Sequence, residues 1–127
     1  MAAVIRLDTH VVAWLHAGEI QRLSPDAASA IESSALVISP MVELELTYLF
    51  EIGRLTVTGQ DIVTHLRDQI GVELSPLALD AVVRGAGPMS WTRDPFDRLI
   101  TADAAASGSR LVTKDDTIHE HYPDSLW

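Results

Sequence analysis

The sequence predicts an α/β protein built on a parallel sheet, and three observations carry that expectation. Short β-branched runs alternate with longer helical patterns, the order of βαβ units. The helical patterns bring their own punctuation: a polar residue before proline opens three of them and a glycine closes four. No internal repeat, low-complexity tract or linker interrupts the alternation, so one domain over residues 1–127 is expected.

Taken in order, residues 4–7 read as the first strand and 9–17 as a helix stopped by Gly18. Ser24-Pro25 opens a helix over 25–33, which feeds a strand over 35–39. The helix over 41–52 stops at Gly53 and that over 60–69 at Gly71, followed by a strand over 72–74. Ser75-Pro76 is read as the start of a helix over 76–84, and a loop over 85–93 follows. Asp94-Pro95 opens the helix over 95–107, closed by Gly108. The fourth strand is placed over 110–113, a candidate edge strand over 125–127, and the H-x-H of His119 and His121 in a C-terminal loop.

Composition then narrows the chemistry. With no Cys there is no disulfide framework, zinc-thiolate site or thiol nucleophile. An acid and a His fall inside the apolar N-terminal stretch, and no run approaches ~18 uninterrupted apolar residues. A cytoplasmic protein with no membrane partner is expected. The formal charge of -9, from 9 Lys+Arg against 18 Asp+Glu, argues against a protein that coats nucleic acid by counterion release. Any polyanion needs a local exception, and Arg93, Arg98, Arg110 and Lys114 cluster in the last third.

Four acids sit where a solvated carboxylate is out of place. Asp8 ends the first strand and Asp115 follows the strand RLVT, so both are expected at the carboxyl edge of a parallel sheet, where open α/β sheets put their sites. An Asp there also serves as an ordinary turn or cap. On a wheel of about 100° per residue, Met41, Val42, Leu44, Tyr48, Leu49 and Ile52 form an apolar arc that includes Glu45, whereas Glu43, Thr47 and Glu51 form a solvent face. A lone buried carboxylate costs several kcal/mol unless paired or bound to a cation. Asp97 stands at the third position of the helix capped by Asp94, and D-x-x-D is also a plain capping pair on a helix dipole.

If the four converge, two charges about 4 Å apart repel by ~4 kcal/mol even at an effective dielectric of 20, so the cluster takes up protons or cations. Oxygen-only donors favour Mg²⁺ or Mn²⁺. Such ions recruit phosphate oxygens, which makes metal-assisted phosphodiester hydrolysis the natural reaction class.

LDTHVVAWL, ISPMVELELTYLFEIGRL, RDPFDRLITADAAASG and LVTKD, in that order and spacing, resemble the PIN-domain ribonucleases, specifically the VapC-type toxins of bacterial toxin–antitoxin modules. The resemblance covers nearly the whole chain. It implies a three-layer α/β/α fold with a central parallel sheet, and an endoribonuclease dependent on Mg²⁺ or Mn²⁺. It assigns catalysis and metal binding to Asp8, Glu45, Asp97 and Asp115, with support from Thr9, Ser39, Asp94 and Thr113. It also implies a homodimer, an RNA substrate and a cognate antitoxin that covers the site. Flanking phosphates then need cations, for which Arg93, Arg98 and Lys114 are the candidates beside the acids.

Two other readings compete. A phosphoacceptor receiver needs an Asp after its third strand, where this chain has VELSPL, and DTHVV lacks the second Asp of a D-x-D phosphatase. A catalytically silent PIN-like partner-binding module would carry the same acids as caps and surface charge, without metal-dependent activity. The His residues read as surface or core groups. Trp14 and Trp127 read as packing, and Trp91, in the long loop, is the aromatic residue placed to meet RNA.

Overall fold

The computed structural model describes residues 3–127. Five strands, β1 (Val4–Leu7), β2 (Ala35–Ile38), β3 (Glu73–Leu74), β4 (Arg110–Val112) and β5 (Ser125–Leu126), form one parallel sheet in the order β3-β2-β1-β4-β5. Around it lie α1 (Thr9–Ala17), α2 (Pro25–Ser33), α3 (Pro40–Glu51), α4 (Gly59–Ile70), α5 (Leu79–Ala86), α6 (Pro95–Ser107) and α7 (Asp116–His121), with a 3-10 turn at Ile20–Arg22. The chain moves from β1 to β3 in one direction and from β3 to β5 in the other. Right-handed crossovers therefore put the two sets of helices on opposite faces, giving the three-layer α/β/α arrangement. α1, α3 and α4 accordingly pack together, and α5 packs on α6.

Local chemistry explains the boundaries. Ser24 accepts from Ala27 N at 3.0 Å and Asp94 from Phe96 N at 2.8 Å, so α2 and α6 begin where their caps lie. Gly18, Gly53, Gly71 and Gly108 all take left-handed φ, from 67° to 81°, at the four expected stops.

Three expectations need correction. α5 starts at Leu79 because Ser75 is buried and its hydroxyl faces Arg6 Nη2 at 3.3 Å instead of opening a helix. The C-terminal loop contains α7, whose first turn is held by Asp115 accepting from Ile118 N at 2.9 Å. α3 starts at Pro40, capped by Ser39, and its buried face centres on Val42 and Leu46. Leu44, Tyr48 and Ile52, expected in the apolar arc facing the core, are 54%, 47% and 49% exposed, while Glu43 and Thr47, expected on the solvent face, are half-buried, and Thr47 Oγ1 accepts from Gly59 N at the start of α4.

The main core joins both faces of β1 and β4 to the helices, through Leu7, Val11, Val42, Leu46, Ile62, Ile100 and Leu111. At Gly59 the helices α3 and α4 meet so closely that a Cβ would stand 2.1 Å from the Glu43 carbonyl oxygen. Arg6, buried on β1, donates from Nε to Asp103 Oδ1 at 3.1 Å and from Nη1 to Ser109 Oγ at 2.9 Å. Asp103 lies on α6 and is itself buried, so this ion pair fixes the helix that begins with Asp97 against the central strand. No helix among the described residues is long and apolar enough to cross a membrane.

Candidate active site

Strand order reverses between β1 and β4, and in open α/β sheets the crevice at the carboxyl ends of such a pair is the place for a ligand. Asp8 caps α1 there. Its Oδ1 accepts from Thr9 N at 2.8 Å and its Oδ2 from Thr113 Oγ1 at 2.6 Å. Burial pushes the Asp8 carboxyl up; the hydrogen bonds from Thr113 and Thr9 and the nearby His10 oppose that shift, and Asp115 adds to it. Thr113 does a second task, since its Oγ1 accepts from Asp115 N at 3.1 Å.

From the other side of the crevice come α3 and α6. Glu45 accepts from Thr9 Oγ1 at 2.5 Å. Its carboxyl is raised first by burial and then by the charges of Asp8 and Asp94, against the Thr9 bond and His10. Asp97, in the first turn of α6, is pushed up to about 7, first by burial and then by Asp94, Asp8, Asp115 and Glu45. The four acids expected from the sequence therefore act on one another electrostatically, and Asp94 joins them while capping α6. Ser39 caps α3 at the end of β2, accepting from Met41 N at 3.1 Å.

Among the described residues no three acidic or imidazole groups are drawn together at ligand distance. The donor set, oxygen only and anionic, suits a hard divalent cation, and part of it is pre-oriented by Thr9 and Thr113.

The three cations differ in what they are free to do. Arg98 is spent on the end of α5, donating from Nη2 to the carbonyls of Ala86 at 3.1 Å and Gly87 at 2.9 Å. Arg93 is exposed and donates to Ser90 O at 2.8 Å, and Lys114 is exposed between Thr113 and Asp115.

Sequence reasoning passed over His119. Its Nε2 meets Thr113 O at 2.6 Å and its Nδ1 meets Ser125 Oγ at 2.5 Å, so a neutral ring that donates to the carbonyl accepts from the serine. Both nitrogens are engaged, and the residue braces the carbonyl of the threonine that holds Asp8. Nothing in the H-x-H spacing signals this. Trp91 stacks on His121 with centroids 5.1 Å apart and planes 5° from parallel, while Trp14 and Trp127 pack at 5.9 Å. A depression of about 450 Å³ opens at the opposite, amino edge of the sheet beside Ala3, Ile5 and Arg110 and touches none of the four candidate acids.

Residues 5–122 match the PIN domain family. The chain is similar to Ribonuclease VapC22 of Mycobacterium tuberculosis, at 38% identity over 133 residues that cover 97% of this chain and 98% of that one. Among solved structures it resembles VapBC2 from Rickettsia felis bound to a DNA fragment from their promoter, with a TM-score of 0.65 and 16% identity over 97% of this chain and 96% of that chain. A toxin–antitoxin complex from Klebsiella pneumoniae gives a TM-score of 0.62 and 13% identity over 97% and 96% of the two chains. At these identities the two structures bear on the fold.

Proposed function

The chain belongs to the PIN domain family and, within it, to the VapC ribonucleases, and on that premise we propose that it is the ribonuclease toxin of a toxin–antitoxin pair. It hydrolyses RNA phosphodiester bonds with Mg²⁺ or Mn²⁺ held by Asp8, Glu45, Asp97 and Asp115. The observation that carries this reading is the Asp97 carboxyl, pushed up to about 7 by burial and by four further acids at the switch point of the sheet. Perturbed carboxylates gathered in such a crevice mark a functional-site candidate, and a bound cation would relieve their repulsion. A bound divalent cation supplies charge neutralisation at the scissile phosphate and acidifies water.

The protein's own part is orientation. Thr113 and the Thr9 backbone fix the two oxygens of Asp8, and the Thr9 hydroxyl fixes Glu45. Asp94 holds the first turn of α6, and with it Asp97. Arg93, next to the α6 cap Asp94, and Lys114, between Thr113 and Asp115, are exposed and supply the cations for flanking phosphates in this reading, whereas Arg98 supports the fold. In the hydrolysis a water oxygen forms the new bond to phosphorus, the bond to one sugar oxygen breaks, and the departing oxygen takes up a proton.

A homodimer accounts for α3, whose Leu44, Tyr48 and Ile52 recur every four residues on an exposed stripe, with Leu79 and Val83 exposed on α5. The antitoxin partner is supported by the similarity to toxin–antitoxin complexes. The reading treats residues 1–127 as a single nuclease domain acting in the cytoplasm. A catalytically silent partner-binding module leaves the mutual repulsion of the acids without purpose.

Incubation of the protein with total RNA, with and without Mg²⁺ or Mn²⁺, followed by mapping of new ends, tests this. Metal-dependent ends absent from Asp97→Asn are expected. No new ends with either ion would overturn the nuclease reading in favour of the silent module.

A further inference from the structure

A groove of about 260 Å³ runs between α1 and the end of α3, with His10, two residues beyond Asp8, among its lining. His10 lines it and stands close enough to Asp8 and Glu45 to favour their charged forms. Beyond His10 the Trp14 ring follows at 6.2 Å, and the Arg22 guanidinium lies over that ring at 5.7 Å. Leu49 and Leu55 complete an apolar floor. The facing wall carries Arg54, brought there by the turn at Gly53, where Arg54 N donates to Leu49 O at 2.9 Å.

The charge of this groove runs against that of the chain. Arg22 and Arg54 face a single acid, Glu19, which pairs with Arg22; among the described residues Arg54 makes no ion pair. A protein of formal charge -9 has thus placed two of its nine Lys and Arg residues in a groove whose lining also includes His10, a neighbour of Asp8 and Glu45. A strand cut at the crevice continues on both sides of the scissile phosphate. Arg93 and Lys114 serve only the side of α6 and β4, and Arg98 is committed to the end of α5.

Building on the ribonuclease reading, we propose that the RNA strand on the other side of the scissile phosphate lies in the α1/α3 groove. Its phosphates meet Arg22 and Arg54, and a base or ribose rests against the apolar floor at Trp14. Two phosphates neutralised by exposed guanidinium groups make a sequence-independent, salt-sensitive contact.

The test uses the full chain carrying Asp97→Asn, so that RNA is not cut, and a fluorescently labelled pool of single-stranded RNA titrated at several salt concentrations. Adding Arg22→Gln and Arg54→Gln together should weaken binding roughly tenfold or more and make the log–log salt slope shallower by about 1.4, at about 0.7 per lost phosphate contact. The melting temperature should not move. Arg67→Gln, on the exposed end of α4 outside the groove, should keep the parental slope. In the catalytically intact chain, the Arg22 and Arg54 double variant should raise KM and leave kcat near the parental value. Parental affinity and slope in the double variant, from a chain that otherwise binds and cuts RNA, would overturn the groove assignment and give the groove to a protein segment. Absence of RNA binding and cleavage in the parent would overturn the ribonuclease reading and this inference with it.

Discussion

Thr9 donates its hydroxyl to Oε1 of Glu45 across 2.5 Å while its backbone N–H serves Oδ1 of Asp8, so one residue at the start of α1 holds two acids from different elements. Replacing Thr9 by Val keeps the shape and the backbone donor and removes only the hydroxyl. Glu45 then loses the bond that favours its charged form, and its proton affinity rises further. A hydrogen bond to a charged group contributes about 1.5–3 kcal/mol, so RNA cleavage should fall roughly ten- to a hundredfold at neutral pH, with its rising limb moved to higher pH. Thr9→Ser should recover most of the rate. Unchanged pH–rate profiles in Thr9→Val would exclude the role.

Glu45 and Glu43 lie two residues apart on α3 and differ in company. Glu45 meets Thr9 at the crevice, whereas Glu43 lies on the side of α3 whose backbone faces Gly59 of α4. Glu45→Gln should lower cleavage beyond the roughly 10–100-fold typical of an outer-sphere change, and Glu43→Gln should leave it near parental. Equal losses measured on the same RNA would refute the placement.

The acids also set a pH dependence. Asp97 in the folded chain titrates at about 7 against an ordinary 3.8, so between those values the native state binds more protons than the unfolded one. Stability is then fullest at the acidic end of that window and falls as pH rises through it, and Asp8 and Glu45 are displaced in the same direction. In the presence of a chelator, the melting temperature should drop from about pH 5 to about pH 8, and Asp97→Asn should flatten the drop. Adding Mn²⁺ near pH 8 should restore the loss in the parent and restore less in Asp8→Asn. A chelated parent whose melting temperature rises over that range would contradict the mutual repulsion.

How much of this was legible depends on where the information lies. α1, α2 and α6 were readable to the residue because caps and stops are local: Asp8 and Gly18, Ser24, and Asp94 with Gly108 act within a turn of themselves. Asp8, Asp97 and Asp115 could be placed at one sheet edge because strand ends and helix starts determine that edge. Ser75 misled because its local pattern is that of a cap, yet its hydroxyl answers a buried arginine 69 positions earlier. α7 escaped notice since DTIHEH is short and lacks apolar periodicity. Leu44, Tyr48 and Ile52 read as core because an apolar stripe has the same spacing in the sequence whether it is buried or exposed.

Arg6 and Asp103 should show strong thermodynamic coupling. Arg6→Met alone strands a buried carboxylate and should cost about 3–5 kcal/mol in urea unfolding, whereas adding Asp103→Leu should recover most of it. Additive losses in the double variant would show that the ion pair is incidental to packing.

Gly59 offers a second check on the fold. A Cβ there meets a backbone carbonyl at 2.1 Å, which no rotamer change relieves. Gly59→Ala should destabilise by about 1–3 kcal/mol or more despite its better helix propensity, and a stabilised variant would mean that α3 and α4 separate easily.

The bond between Asp8 and Thr113 joins residues 105 positions apart, and β1 stands at the centre of the sheet with β4 as one of its two neighbours. Translation delivers these parts in the least convenient order. The first acid is made about a hundred residues before β4, and one edge of its strand stays open until β4 follows, because non-local pairings close last. A nascent chain therefore carries every early residue of the crevice without the crevice itself. The crevice is thus completed by one long-range pairing, so a change that loosens β4 from β1 undoes it as a unit.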